Sequence, residues 1–233
     1  MTTRTCWDLA LPATRLRGSH DVFQVATASE LLAGGFRGEA TYGEIRGHGD
    51  FGVGTFDQLD GEMVAVDGRF HQLHSDGTAT LVDDEQSAPF AMVTFFHGDV
   101  TQEIGDPVDH DGLLTLLSSL LADSGDFCAI RVDGHFTRIV TRTVSKQTPP
   151  YTTLAEAIAE QVEREFRDVG GTLVGFRAPA YIDGLTIGGY HFHFISDDAR
   201  VGGHVLDLHL LSGRIAADVE SSLHVELPQQ ATP

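Results

Sequence analysis

Short segments rich in β-branched and aromatic residues recur along the chain, each broken by Asp-Gly or Gly-Gly, so strands dominate the predicted elements. Glu62 to Val66, Asp67-Gly68 and Arg69 to Leu73 predict a hairpin closed by an Asp-Gly turn. Cys128 to Val132, Asp133-Gly134 and His135 to Val140 predict another. The strings VDGRF (66–70) and VDGHF (132–136) fall at equivalent places in the two hairpins. That hints at related halves, although hairpins also reuse Asp-Gly simply for its turn geometry. Helices are fewer. One is predicted from a Thr153 cap, with Glu156 completing a capping box, through Leu154, Ile158, Val162 and Phe166 to Gly170-Gly171. A leucine-rich, mostly buried helix spans Gly112 to Ala122, and a short one covers Ser29 to Ala33. FGVGTF (51–56) reads as a tight bend, because it lacks the rest of a phosphate-cradling motif. Asp83 to Ser87 and Gly98 to Asp111 read as polar loops, and Pro228 to Pro233 as a frayed tail. The expected fold class is α+β (α/β mixed), a strand-rich two-subdomain arrangement with extended mixed or antiparallel sheets and a few packed helices. An N-terminal sheet subdomain is expected over 1–122 and a C-terminal one over 123–233, joined as one integrated unit.

Charge narrows the class of partner. The 233 residues carry 34 acidic against 15 basic side chains, a formal net charge of −19. Such a surface repels polyanions, so nucleic acid and anionic membrane are not expected as partners. Cys6 and Cys128 form no CxxC pair, which argues against a disulfide framework or a thiolate metal site and fits a reducing compartment. Without an apolar run of signal or membrane-spanning length, a soluble cytoplasmic protein is expected.

The candidate chemistry lies in GGYHFHFISDDARVGGHVLDLHL (188–210). Read as a hairpin, it points His191 and His193 to one face and Tyr190, Phe192 and Phe194 to the other. With the turn centred on Asp198-Ala199, His193 opposes His204, and three imidazoles converge closely enough to share a metal. Three histidines with open coordination positions describe a catalytic site rather than a structural one. With 12 histidines in the chain, about 0.6 HxH pairs arise by chance, so the facing of His204 carries the argument. Imidazoles suit zinc, iron, copper and nickel, so spacing alone leaves the metal open. Glu62 alternates onto a face with Val64 and Val66, a setting that either shifts its pKa or leaves it at a solvated edge. Arg142 shares a face with Arg138, Val140 and Val144; it either meets water or grips a carboxylate or oxyanion.

Several longer motifs then fall into order. DFGVGTFDQLDGEMVAVDGRFHQ (50–72), APFAMVTFF (88–96), FCAIRVDGHFTRIVTRTVSKQTPPY (127–151), GTLVGFRAPAYIDGLTIGGYHFHFISDDARVGGHVLD (171–207) and ELP (226–228) resemble the acetolactate decarboxylase family, from about Phe23 to Pro228. The resemblance implies a two-domain fold built on extended sheets, commonly dimeric. It also implies a zinc enzyme that converts 2-acetolactate, a 2-hydroxy-3-oxo acid, to acetoin and carbon dioxide. The family's zinc ligands fall on His191, His193 and His204, its active-site glutamate on Glu62 and its arginine on Arg142. In the reaction so implied, the metal chelates the keto and hydroxyl oxygens and stabilises an enediolate, while Glu62 handles the proton. Family members continue past the ELP segment into an acidic tail that supplies a further glutamate. Here the sequence stops at Pro233, so the expectation is that this role is missing or that Glu226, Glu220 or water takes it. Two other readings keep the metal: a small-molecule hydrolase and a catalytically silent binding module.

Overall fold

The computed structural model describes residues 20–122 and 127–227. Within them the chain runs β1 (Asp21–Val25), α1 (Ala28–Leu32), β2 (Ala40–Thr41), α2 (Tyr42–Ile45) and β3 (Phe51–Thr55). It continues through β4 (Glu62–Val66), β5 (Arg69–Leu73), β6 (Ala79–Leu81), β7 (Ser87–Ala88), β8 (Phe90–Thr94), β9 (Val100–Ile104) and β10 (Val108–Asp109). Then come α3 (His110–Leu120), β11 (Phe127–Thr143), α4 (Leu154–Ile158), β12 (Val162–Ala178), β13 (Gly189–Ser196), β14 (Gly202–Glu220) and β15 (Ser222–Glu226).

Two sheets carry the fold. The first has the order β15-β1-β8-β3-β4-β5-β6, antiparallel except where β15 runs parallel to β1. The second has the order β10-β14-β11-β12-β13, with β9 on the flank of β14. It curls until β13 also pairs with the start of β14. Val53, Val64 and Met92 of the first sheet pack against Ala129, Val174 and Phe176 of the second. The outer face of the first sheet is sealed by Tyr42 and Ile45 of α2 over Met63, Ala65 and Phe70. Inside the curl of the second, Leu113 and Leu117 of α3 join Ile130, Phe136, Phe192 and Phe194. Strands buried on both faces read as apolar runs rather than alternations, which is why β3 and β8 are buried throughout. The strand-rich, two-sheet part of the expected class is observed, but helices contribute little, so α+β describes the fold only in part. No helix among the described residues is long and apolar enough to cross a membrane.

The hairpin of β4 and β5 matches its expected boundaries, with Asp67 and Gly68 both at positive φ as its turn requires. α1 and α3 lie within two residues of expectation. Four expectations fail for physical reasons. Asp133-Gly134 does not turn; it lies inside the 17-residue β11, so VDGRF and VDGHF are not equivalent and the related halves they hinted at are not seen. Gly134 stands in register with Gly171 of β12 and Gly213 of β14, and a Cβ there would lie 2.5 Å from Leu210 and 2.6 Å from the Ser212 carbonyl. The glycine serves close approach of neighbouring strands, not chain reversal. The helix predicted to Gly170 stops at Ile158, and Val162 onward is strand, although the Thr153 and Glu156 capping box is present. Apolar positions four apart satisfy the i, i+4 face of a helix and, being an even spacing, one face of a strand as well.

FGVGTF is strand β3, whose Gly54 lies against the Phe90 carbonyl and Ala91 of β8. The expected loop at 98–111 holds β9 and β10 along β14 and the start of α3. Residues 228–233 and Cys6 lie outside the described residues, and Cys128 is buried.

Because the space beside Gly134 is already filled, Gly134→Ala is expected to destabilise the protein by about 1–3 kcal/mol. Equilibrium urea unfolding measures this; an unchanged midpoint would remove the close-approach explanation.

Candidate metal centre

The register of the curled sheet sets the site. His193 of β13 opposes His204 of β14, and His204 opposes Arg142 of β11 on its other side. Directly opposed residues share a face, so these three side chains stand in one row across three strands. His191, two residues before His193, points the same way, opposite Phe176, while Phe192 and Phe194 enter the core inside the curl. One ring nitrogen from each of His191, His193 and His204 lies within 4.8 Å of the others. The Nε2 atoms of His191 and His193 are 3.1 Å apart.

The protonation pattern follows from the surroundings. His193 Nδ1 donates to the Met63 carbonyl of β4 at 2.7 Å. A carbonyl can only accept, so the ring proton sits on Nδ1 and the Nε2 lone pair faces the other imidazoles. Burial, aided by Arg142, lowers the His191 pKa to about 4. Burial first, and then the neighbouring imidazoles and Arg142, which oppose a second positive charge, hold His193 and His204 well below the ordinary value. The cluster is therefore neutral at physiological pH, as metal ligation requires.

The opposite wall comes from the first sheet. Glu62 Oε2 lies 3.6 Å from His193 Nε2. Burial raises the Glu62 pKa to about 7, with Arg142 pulling the other way. The alternation of β4 that places Glu62 beside Val64 thus aims it into the space between the sheets. Glu62, Arg142 and the three histidines line one cavity, together with apolar side chains such as Leu31, Leu154 and Ile158. Among the described residues Arg142 makes no ion pair; its Nη1 donates to Gln161 Oε1 at 3.2 Å. All five residues singled out in the sequence are brought together. Sequence reasoning missed the Met63 carbonyl, which has no side-chain signature. It also missed Gln161, which lay inside a segment read as helix.

A family model described as alpha-acetolactate decarboxylase matches residues 22–232. The chain is 41% identical over 218 residues to the alpha-acetolactate decarboxylase of Methanosarcina mazei, covering 94% of this chain and 76% of that protein. It is 40% identical over 210 residues to that of Bacillus subtilis strain 168, covering 90% and 82%. The crystal structure of alpha-acetolactate decarboxylase from Bacillus subtilis strain 168 superposes with a TM-score of 0.88 at 40% identity, over 91% of this chain and 90% of that one. A Staphylococcus aureus structure described as a protein of unknown function similar to alpha-acetolactate decarboxylase gives 0.86 at 27% identity, over 89% of each chain.

Neither glutamate considered for the tail's role reaches this cavity. Glu226 lines a separate hollow with Val25, Glu39, Ala40 and Leu227. Glu220 is 4% exposed at the end of β14, where the chain crosses to the first sheet. Burial raises its pKa to about 7, opposed by Thr94 and reinforced by Asp218, Asp21 and Asp99. The folded state therefore holds a proton there that an unfolded chain, titrating near 4.5, has released. Stability contributed by the protonated carboxyl is fully present below pH 4.5 and is lost as pH rises to about 7. Glu220→Gln removes this dependence and is expected to be the more stable form at pH 8 by about 2 kcal/mol. Urea unfolding of both proteins at pH 5 and pH 8 tests this; a gap that does not widen with pH would refute it.

Proposed function

The chain belongs to the alpha-acetolactate decarboxylase family, and from that membership we propose that it converts 2-acetolactate to acetoin and carbon dioxide in the cavity between its sheets, using zinc held by His191, His193 and His204. As a member it is a decarboxylating carbon–carbon lyase. The observation that carries the reading is the convergence of three neutral imidazoles with one acid and one arginine in a single cavity.

The donor set suits the ion. Three nitrogen ligands, with the proton of His193 fixed on Nδ1 by the Met63 carbonyl, present lone pairs to one focus. Neutral ligands leave a divalent ion its full charge, and when bound it supplies the Lewis acidity that stabilises the electron pair released as carbon dioxide departs.

The chain's own groups do the rest. Arg142 orients the substrate carboxylate as it enters, through the fork geometry that suits a guanidinium to a carboxylate. Once the carbon–carbon bond breaks, its electron pair moves into the adjacent carbonyl, and Arg142 faces the resulting oxygen anion. Glu62, buried and half-protonated near neutrality, delivers a proton to the carbon that lost its carboxyl group and is reprotonated from water. Leu31, Leu154 and Ile158 line the cavity with apolar surface, which strengthens these charge interactions by excluding water.

Purified zinc-loaded protein is expected to release acetoin and carbon dioxide from racemic 2-acetolactate, to lose activity with a chelator and to recover it with zinc. An inactive zinc-loaded protein would overturn the assignment. Glu62→Gln should keep stoichiometric zinc while turnover falls about 10²–10⁴-fold; wild-type turnover would dismiss the proton role.

A further inference from the structure

Arg142 on β11 and Glu163 on β12 are directly opposed. Opposite charges so placed on neighbouring strands ordinarily close into an ion pair. Two other arginines of β11 do pair with nearby carboxylates. Arg138 reaches Glu165 at 2.8 Å and Asp207 at 2.5 Å, and Arg131 reaches Asp67 and Asp133, each at 2.7 Å. Arg142 does not join Glu163. Its Nη1 donates instead to Gln161 Oε1 at 3.2 Å, and Gln161 Nε2 donates to Glu163 Oε1 at 2.9 Å.

The orientation of that amide is dictated by its partners. A guanidinium only donates and a carboxylate only accepts, so the oxygen must face Arg142 and the NH2 group must face Glu163. The backbone fixes the position, since Gln161 N donates to the Ile158 carbonyl at 2.9 Å at the end of α4. That short helix also lends Leu154 and Ile158 to the cavity. Gln161 is thus a neutral spacer between two charges that would otherwise neutralise each other.

We propose that Gln161 is a positioning residue that keeps Glu163 from capturing the Arg142 guanidinium and so leaves its charge directed at the substrate carboxylate. Arg142 lines the same cavity as Glu62 and the three histidines, so its side chain is turned toward that space. The inference rests on the reading of Arg142 as the carboxylate grip.

The test uses the zinc-loaded enzyme and two measurements. Gln161→Met keeps side-chain length but removes the amide; it is expected to lower kcat/KM for 2-acetolactate about ten-fold, the scale of one charge-assisted contact, with melting temperature and zinc content unchanged. Adding Glu163→Gln removes the competing charge and should restore kcat/KM to within about three-fold of wild type. An unimpaired Gln161→Met, or a double variant no better than the single, would overturn the proposal. The second measurement is calorimetric affinity for the non-reactive 2-hydroxyisobutyrate. It should weaken in both Arg142→Ala and Gln161→Met. Weakening in Arg142→Ala alone overturns the role of Gln161 and leaves the grip standing. No weakening in Arg142→Ala overturns the grip, and this inference with it.

Discussion

The centre depends on one closure: the pairing of β13 with the start of β14 that places His193 opposite His204. β14 is also paired with β11, and that pairing sets Arg142 beside His204 on its other side. The alternation of β13 then makes His191 follow His193 to that face. A slip of one residue at this seam would turn His204 away from the cavity, toward the phenylalanines inside the curl. The glycines at the seam fit this demand, since a Cβ on Gly203 would press on Thr141 at 2.8 Å.

The electrostatics of the cavity run against those of the molecule. A chain with net charge −19 is an unwelcoming surface for a carboxylate, yet the cavity holds neutral imidazoles, one arginine and an acid that burial keeps partly protonated. Burial works in one direction for both kinds of group, suppressing charge on histidine and glutamate alike. Arg142 brings the one side chain of the cavity that is a cation by its chemistry, a donor-only guanidinium. Its charge is therefore the fixed feature of the cavity, and its neighbours decide where it points.

Legibility in the sequence tracked how local the determinant was. The 62–73 hairpin was readable because Asp67-Gly68 supplies the positive φ values of a two-residue turn. The register of His193 and His204 was readable because one turn, with Ala199 at positive φ, counts it out. β11 and β12 were not readable. Asp133-Gly134 is a turn signal overruled by the crowding of three glycines across adjacent strands, and that arrangement joins residues up to 79 positions apart. The run from Leu154 to Phe166 obeys helical and strand spacing equally, and only pairing with β11 decides for strand beyond Ile158. Gln161 was hidden by the same ambiguity, since its meaning depends on Arg142 and Glu163 being strand neighbours.

The bond from His193 to the Met63 carbonyl has a consequence for how sequence can drift in this fold. The acceptor belongs to the main chain, and the Met63 side chain points the other way, into the core under α2. Any residue that fills that core and keeps β4 straight would serve the imidazole equally well. The tautomer is thus guarded by topology, and a comparison of residue identities at position 63 would record only a packing preference while the contribution to the centre passed unseen.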